Sequence, residues 1–232
     1  MDPVPADRGL SPGPGWDVRR WRGPAAALHA AAVPDAPGRT VWVMEATRPA
    51  LVLGSTQAHD LVDPEAAADL GIDVAQRRSG GGAVLVVPGE TAWLDVIVPA
   101  GDPLWDDDVG RAALWLGAAW QRALADLGIG PTEVHTGALA CGPLGRAVCF
   151  ATVGAGEVTT PERAKLVGIS QRRTRAAARF QCAAYRTWEP EPLARLLRLD
   201  GDGRRALAGA AAGTGVEVNV LVDAVLAQLA WA

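Results

Sequence analysis

The segment Arg77-Arg78-Ser79-Gly80-Gly81-Gly82-Ala83-Val84 places three consecutive glycines between two stretches of mainly aliphatic residues. Glycine loses more conformational freedom on folding than any other residue, so the run indicates a loop that needs close backbone approach. Its main-chain amides can contact carboxylate or phosphate oxygens, and the two arginines can add charge-assisted hydrogen bonds. A flexible hairpin is the simpler alternative. The spacing is not that of a Walker loop, which needs lysine followed by Ser or Thr.

A second segment, Lys165-Leu166-Val167-Gly168-Ile169-Ser170-Gln171, carries the only lysine among the 22 lysines and arginines of the chain. A GC-rich genome replaces lysine codons by arginine codons, which explains why arginine is so much more frequent than lysine here. Chance alone could leave the one remaining lysine anywhere. An ammonium is a compact charge and a guanidinium a wide fork, so the remaining lysine is a candidate for a role that arginine cannot fill. Strand alternation places Lys165 on one face with Val167 and Ile169. Partial burial there would strengthen its attraction for oxygen charge that develops in a transition state.

Length and composition predict one compact domain, because 232 residues with 49% hydrophobic content can close a single core. The apolar stretches are too short to span a membrane. A net charge of −4 argues against a global attraction to nucleic acid or membrane surfaces. Prolines and glycines dominate residues 1–15, which lack the apolar core of a secretory signal. We expect a disordered arm over residues 1–15 and a single domain over 16–232.

The chain has three cysteines, Cys141, Cys149 and Cys182, at spacings that match no zinc pattern. This odd number indicates a reducing cytoplasm and no structural metal. We assign the three histidines mainly to packing and to the surface, with His135 as a residue to check against Cys149.

Periodicity and turn residues predict an α+β fold with a mainly antiparallel sheet flanked by helices. Residues 41–46 and 51–54 are expected to form a hairpin, and residues 73–98 an antiparallel meander. Further strands are expected at residues 132–135, 147–150, 165–169 and 180–185. Helices are expected at residues 65–70, 108–128, 191–199 and 218–231.

Together the two segments resemble the catalytic fold of the biotin/lipoate protein ligases, which is class II synthetase-like, on the lipoate-protein ligase branch. A third segment, Leu51-Val52-Leu53-Gly54-Ser55-Thr56-Gln57, is similar to the strand and turn of that family that end in glutamine. The resemblance extends from about residue 41 to about residue 185. The basic glycine-rich loop of the biotin-ligase branch is arranged differently.

The resemblance implies a ligase that joins lipoate or octanoate to ATP, with Mg²⁺, as an acyl-adenylate. The acyl group then passes to a lysine on a lipoyl carrier domain of a 2-oxoacid dehydrogenase complex or on glycine cleavage H protein. Lys165 would hold acyl and phosphate oxygens. The residues implied in substrate binding are Arg77, Arg78, Ser79, Gly80, Gly81, Gly82, Ala83, Gly168 and Ser170. We expect no accessory C-terminal domain like that of two-domain ligases, so that either the enzyme works without one or a separate chain supplies it.

The chain departs from the family pattern at two places. No acidic residue lies between the glycine loop and Glu90, and residues 25–32 contain only His29 where the family usually carries an acidic pair. A non-catalytic binder of acyl groups or anions is therefore one alternative. Arg172, Arg173 and Arg175 belong either to a solvated turn or to a contact with substrate or acceptor.

Cys149 defines the other alternative, because octanoyltransferases that resemble this fold use a cysteine in a similar place. Such an enzyme takes octanoyl from acyl carrier protein as a thioester on the thiolate, and a lysine polarises the carbonyl without ATP. An inert buried thiol is the simpler interpretation of this cysteine.

Overall fold

The structure is a computed structural model that describes residues 4–5 and 15–231. Its thirteen strands are β1 (Val4–Pro5), β2 (Asp17–Gly23), β3 (Thr40–Ala46), β4 (Ala50–Leu53), β5 (Asp73–Gln76), β6 (Val84–Val86), β7 (Thr91–Pro99), β8 (Glu133–Val134), β9 (Ala140–Cys141), β10 (Thr152–Val153), β11 (Val158–Thr159), β12 (Lys165–Arg173) and β13 (Ala177–Tyr185). Its helices are α1 (Ala25–Ala30), α2 (Pro64–Leu70), α3 (Leu114–Asp126), α4 (Pro190–Leu196), α5 (Gly201–Ala208) and α6 (Val218–Leu229). Two 3₁₀ turns cover His59–Leu61 and Cys149–Ala151.

The main sheet has eight strands in the order β1-β2-β3-β7-β13-β12-β11-β8. The pair β2–β3 is parallel, and the other neighbouring strands are antiparallel. Strand β7 is central, and its residues are buried from Thr91 to Val98 because both faces of the sheet are covered. The α+β prediction with a mainly antiparallel sheet is therefore confirmed.

Helices α3 and α6 cover one face of the main sheet. Leu116 and Trp120 of α3 and Val225 of α6 are fully buried in the cluster that contains Val96 of β7. Helix α3 begins at Leu114, six residues later than the sequence indicates. The preceding residues form turns, in which the Asp106 and Asp108 side chains accept backbone N–H groups two residues on.

A three-stranded sheet in the order β5-β4-β6 covers the other face together with α1, and α2 and α4 pack against the small sheet. Strand β4 is parallel to β5 and antiparallel to β6. The predicted hairpin of residues 41–54 and the predicted meander are therefore wrong, because β3 and β7 belong to the main sheet and β4, β5 and β6 to the small one. Every residue of β4 is buried. A strand in a second layer, covered on both faces, is buried more completely than a strand at the edge of the main sheet.

Several local predictions are confirmed, and others are corrected. Helix α2 has Asp63 as its N-cap, Pro64 at its first position and Gly71 in the left-handed conformation after its end. Residues 147–150 form no strand, since the 3₁₀ turn Cys149–Ala151 begins there. Of the expected disordered arm, the structure describes Val4–Pro5, which pairs with β2, and Gly15; the rest lies outside the described residues. Every helix within residues 15–231 is too short or too polar to cross a bilayer.

Candidate active site between the two sheets

A cavity lies where the small sheet packs on the main sheet. Val84 and Val86 of β6 form one wall, and Trp93 of β7 and Ala183 of β13 form the facing wall. The glycine-loop side contributes Arg77, and the 3₁₀ turn contributes Cys149. The other lining residues are His29, Val52, Thr91, Phe150, Gly168, Ser170, Gln181 and Cys182. The lining is mainly apolar with a few polar groups, which is typical of a site for a small organic ligand.

Arg77 organises the glycine loop from inside. Its guanidinium donates to the Gly80 and Gly82 carbonyl oxygens, both at 2.8 Å, and to the Val52 carbonyl oxygen at 3.2 Å. Its Nε donates to Ser79 Oγ at 3.1 Å. Four of its five N–H groups are therefore used within the protein. Burial of the guanidinium lowers the pKa of Arg77, and the neighbouring Cys149 opposes that shift.

The glycine loop is fixed against the segment that carries Cys149. Ala83 N–H donates to the Ala147 carbonyl, and Cys149 N–H donates to the Ala83 carbonyl at 3.0 Å. A Cβ at Gly82 would lie 2.5 Å from the Val148 carbonyl carbon, so only glycine allows this approach. The close contact explains why the loop carries glycine at this position.

Gln57, which ends the third segment of the family resemblance, ties three loops together. Its side chain accepts from Gly54 N–H at 2.9 Å and donates to the Arg146 and Ala147 carbonyl oxygens. The turn after β4 is thus linked to the backbone immediately before Cys149.

Lys165 is fully buried at the start of β12. Its Nζ lies 2.7 Å from Glu157 Oε2, donates to the Cys149 carbonyl oxygen at 2.9 Å, and sits 5.3 Å from the centre of the Phe150 ring. Phe150 belongs to the cluster beneath the small sheet, whereas Val167 belongs to the cluster beneath α3 and α6. The ammonium therefore points away from Val167 and is paired, which corrects the expectation of a cation among apolar neighbours.

Glu157 is a residue that the sequence did not single out. It is 5% exposed, and its two oxygens also accept the backbone N–H groups of Gly154 and Ile169 at 2.7 and 2.9 Å. Because these bonds fix the carboxylate, Glu157 holds the ammonium against the wall formed by Cys149 and Phe150.

A polar chain crosses the cavity from α1 to the glycine loop. Ser79 Oγ donates to Gln181 Oε1 at 2.9 Å and lies 3.4 Å from Ser170 Oγ. Gln181 Nε2 is 3.2 Å from His29 Nδ1. Burial, with the charges of Arg179 and Arg77 opposing protonation, lowers the pKa of His29 to about 3. The assignment of His29 to simple packing is therefore incomplete.

The structure separates the remaining basic candidates from this cavity. Arg78 is exposed and lines another groove together with Arg172 and Arg175. Arg173 turns the other way, stacks 3.9 Å over Trp105 and donates to nearby backbone carbonyls. Alternation along β12 places Arg172 and Arg173 on opposite faces of the strand.

The sequence-based candidates thus fall into three groups. Arg77, Cys149, Gly168 and Ser170 line the cavity, and Ser79 joins them through Gln181. Lys165 contacts two lining residues from behind the wall. Gly80 and Gly81 are exposed with Arg78, while Gly82 and Ala83 are buried at the contact with the Cys149 segment. His135 lies apart, with its Nε2 2.8 Å from the Ala138 carbonyl oxygen.

Known proteins match the part of the chain that holds the cavity. The family described as the lipoyl protein ligase A/B catalytic domain matches residues 26–212. Lipoate-protein ligase A bound with ATP superposes with a TM-score of 0.68 at 16% identity, over 91% of this chain and 82% of that one. The bipartite lipoate protein ligase of Thermoplasma acidophilum, described with its E2 lipoyl domain, gives 0.65 at 17% identity, over 83% and 70%.

Protein Ta0514 of Thermoplasma acidophilum, with bound lipoic acid, gives a TM-score of 0.63 at 15% identity, over 82% of this chain and 70% of that one. At such low identities, these superpositions show that the fold is shared. No curated protein sequence is significantly similar to the chain. With about four fifths of its length matched by one family, the chain belongs to the lipoyl protein ligase A/B catalytic domain family.

Proposed function

We propose that this protein attaches a lipoyl or octanoyl group to the lysine of a lipoyl carrier domain through an acyl-adenylate. The observation that carries the proposal is the buried ammonium of Lys165 behind an apolar cavity that is bounded by the glycine loop. An apolar cavity suits the acyl chain, and a buried cation is placed to stabilise oxygen charge that develops at its end.

In the first step, a carboxylate oxygen of the acyl substrate attacks the α-phosphorus of ATP, and pyrophosphate leaves. In the second step, the neutral amine of the carrier lysine attacks the acyl carbonyl carbon, AMP leaves, and the nitrogen releases a proton to solvent as the amide forms. Lys165 would exchange its bond to the Cys149 carbonyl for a substrate oxygen and keep its bond to Glu157. Its charge would then stabilise the negative oxygens of both transition states.

The resemblance to a lipoate ligase with bound lipoic acid and to one with bound ATP supports these substrates. A neighbour described with its E2 lipoyl domain supports a lipoyl carrier of a 2-oxoacid dehydrogenase complex as acceptor. Glycine cleavage H protein is the second acceptor that we propose. The phosphate oxygens of ATP would supply most ligands of Mg²⁺, since no group of three His, Cys, Asp or Glu side chains in the described part of the chain is placed to hold a metal. We place the reaction in the cytoplasm, in keeping with the free cysteines.

A second candidate function is ATP-independent octanoyl transfer through Cys149. Its half-buried thiol lines the cavity together with the buried Arg77, which has no carboxylate partner among the residues that the structure describes. The thiolate would attack the thioester carbonyl of octanoyl acyl carrier protein and release its thiol, and the carrier lysine would then displace Cys149.

One experiment separates the two reactions. The protein is incubated with a lipoyl carrier domain and either lipoate with ATP or octanoyl acyl carrier protein, and the carrier is weighed by mass spectrometry. The ligase predicts a mass gain that requires ATP, releases AMP and persists in Cys149→Ala. Modification only from octanoyl acyl carrier protein, with loss in Cys149→Ala, contradicts the ligase and supports the transferase.

A further inference from the structure

His29 occupies an unusual position for a histidine on a short helix. It is 9% exposed, its ring centre lies 4.3 Å from that of Trp93, and it lines the cavity. Arg179 donates to the Leu28 and Ala31 carbonyl oxygens and so anchors α1 against the main sheet. The ring is therefore held in a fixed place by stacking below and by the anchored helix above.

The surrounding charges determine which ring nitrogen carries the proton. Gln181 Nε2 lies 3.5 Å from the Asp95 carboxylate, and its Oε1 accepts from Ser79. The opposite amide orientation would place an oxygen against the carboxylate, so the NH₂ group faces both Asp95 and His29 Nδ1. Nδ1 is then an acceptor. The ring is neutral because burial and two nearby arginines oppose its protonation, so its single proton is on Nε2.

This Nε2–H has no hydrogen-bond partner among residues 4–5 and 15–231. A ligand that fills the cavity excludes water from this donor, so a ligand that supplies an acceptor avoids the cost of an unpaired donor. The donor sits in the wall of an otherwise mainly apolar cavity, so it discriminates between chains that are apolar throughout and chains that carry an acceptor.

The register of the main sheet locates this donor relative to the reactive end. Phe150 and the Lys165 ammonium lie beside Gly168, whereas Gln181 pairs with Ser170, two residues further along β12. Two residues of antiparallel strand correspond to about 7 Å. His29, which contacts Gln181, therefore meets the acyl chain several bonds away from the carbonyl carbon.

We propose that His29 is a specificity-determining residue whose Nε2–H donates to an acceptor atom in the distal half of the acyl chain. The substrate class is then a medium-chain acyl group with oxygen or sulfur in its tail, favoured over the unsubstituted chain. This inference rests on the proposed function, because it requires the cavity to bind the acyl group.

Direct binding tests it on the purified protein. Octanoate, 6-oxooctanoate, 7-oxooctanoate and lipoate are titrated by calorimetry, because a ketone adds an acceptor without a donor. We expect the better oxo acid to bind about five to ten times more tightly than octanoate, as for one net hydrogen bond. Lipoate should gain less, since sulfur is a weak acceptor.

Two variants assign the preference to the donor. His29→Asn keeps an acceptor for Gln181 but lacks the distal N–H. Its ratio of oxo-acid affinity to octanoate affinity should therefore fall to about one. His29→Gln can place an amide N–H near the position of Nε2 and should keep part of the preference. His59→Asn, at an exposed histidine, is the matched control. Equal binding of all acids by the native protein, or an unchanged preference in His29→Asn, overturns the inference and leaves the proposed function standing. Binding of none of the acids overturns both.

Discussion

Lys165 and Glu157 form an ion pair of 2.7 Å in which neither side chain is more than 7% exposed. Glu157 is itself fixed by two backbone N–H groups, and Lys165 by the Cys149 carbonyl. A buried pair of this kind adds little net stability over an apolar pair, but loss of one partner leaves an uncompensated charge. Glu157 therefore determines both the charge balance and the direction of the Lys165 ammonium.

Replacement of Glu157 by Gln should lower the free energy of unfolding by about 3–5 kcal/mol, because the buried ammonium loses its counter-ion. Acyl transfer should fall as well, since the ammonium is no longer held in place. Urea denaturation measures the first effect, and Glu162→Gln at an exposed position should change stability by less than about 0.5 kcal/mol. A Glu157→Gln protein as stable as the native one would show that the pair is not a stabilising contact.

Replacement of Lys165 by Arg should reduce acyl transfer by at least about 100-fold, the usual cost of removing a transition-state contact. The site is fully buried and its neighbours are fixed, so the wider guanidinium has no room there. The initial rate of carrier modification measures the effect, with Arg175→Lys at an exposed position as the reciprocal control. A normal rate in Lys165→Arg removes Lys165 from the mechanism.

Acyl binding without transfer by the native protein would instead support a non-catalytic binder.

The features that the sequence predicted correctly are determined by neighbouring residues. The ends of α2 follow from the side chain of Asp63, the ring of Pro64 and the backbone freedom of Gly71. The glycine loop and Lys165 could be singled out because their composition is unusual in this chain. Both meet at the cavity wall through the Cys149 segment.

The features that the sequence missed depend on pairing between distant strands. Nothing local distinguishes β4 as a strand of a second sheet, since its alternation and length would suit either sheet. Glu157 and Lys165 become partners only because β11 folds back antiparallel on β12. His29 reaches the cavity through the packing of α1 on β7, and a lone histidine among alanines gives no signal of that contact.

Alanine at Gly82 should destabilise the protein by about 1–3 kcal/mol, because its Cβ would meet backbone atoms of Val148 and Cys149 at 2.5–2.7 Å. Relief of that overlap requires the Cys149 segment to move, so acyl transfer should fall too. Gly80→Ala is the matched control in the same loop, since a Cβ there meets nothing within 4 Å. Thermal denaturation and the transfer rate of both variants give the comparison, and equal effects at the two positions would contradict this account of the loop.

The pH dependence of stability should report the neutral state of His29. Its pKa falls from 6.5 to about 3 on folding, so between these values the unfolded chain binds a proton that the folded protein does not. Stability from this group is therefore complete above pH 6.5 and is lost as the pH falls, by up to about 1.4 kcal/mol per pH unit. His29→Gln removes this pH-dependent contribution to stability.

The difference in unfolding free energy between native protein and variant, measured by urea denaturation, should thus shift by about 2 kcal/mol from pH 7.5 to pH 5. His59→Gln, at an exposed site, should follow the native curve, and a constant difference for His29→Gln would mean that His29 is protonated in the folded state.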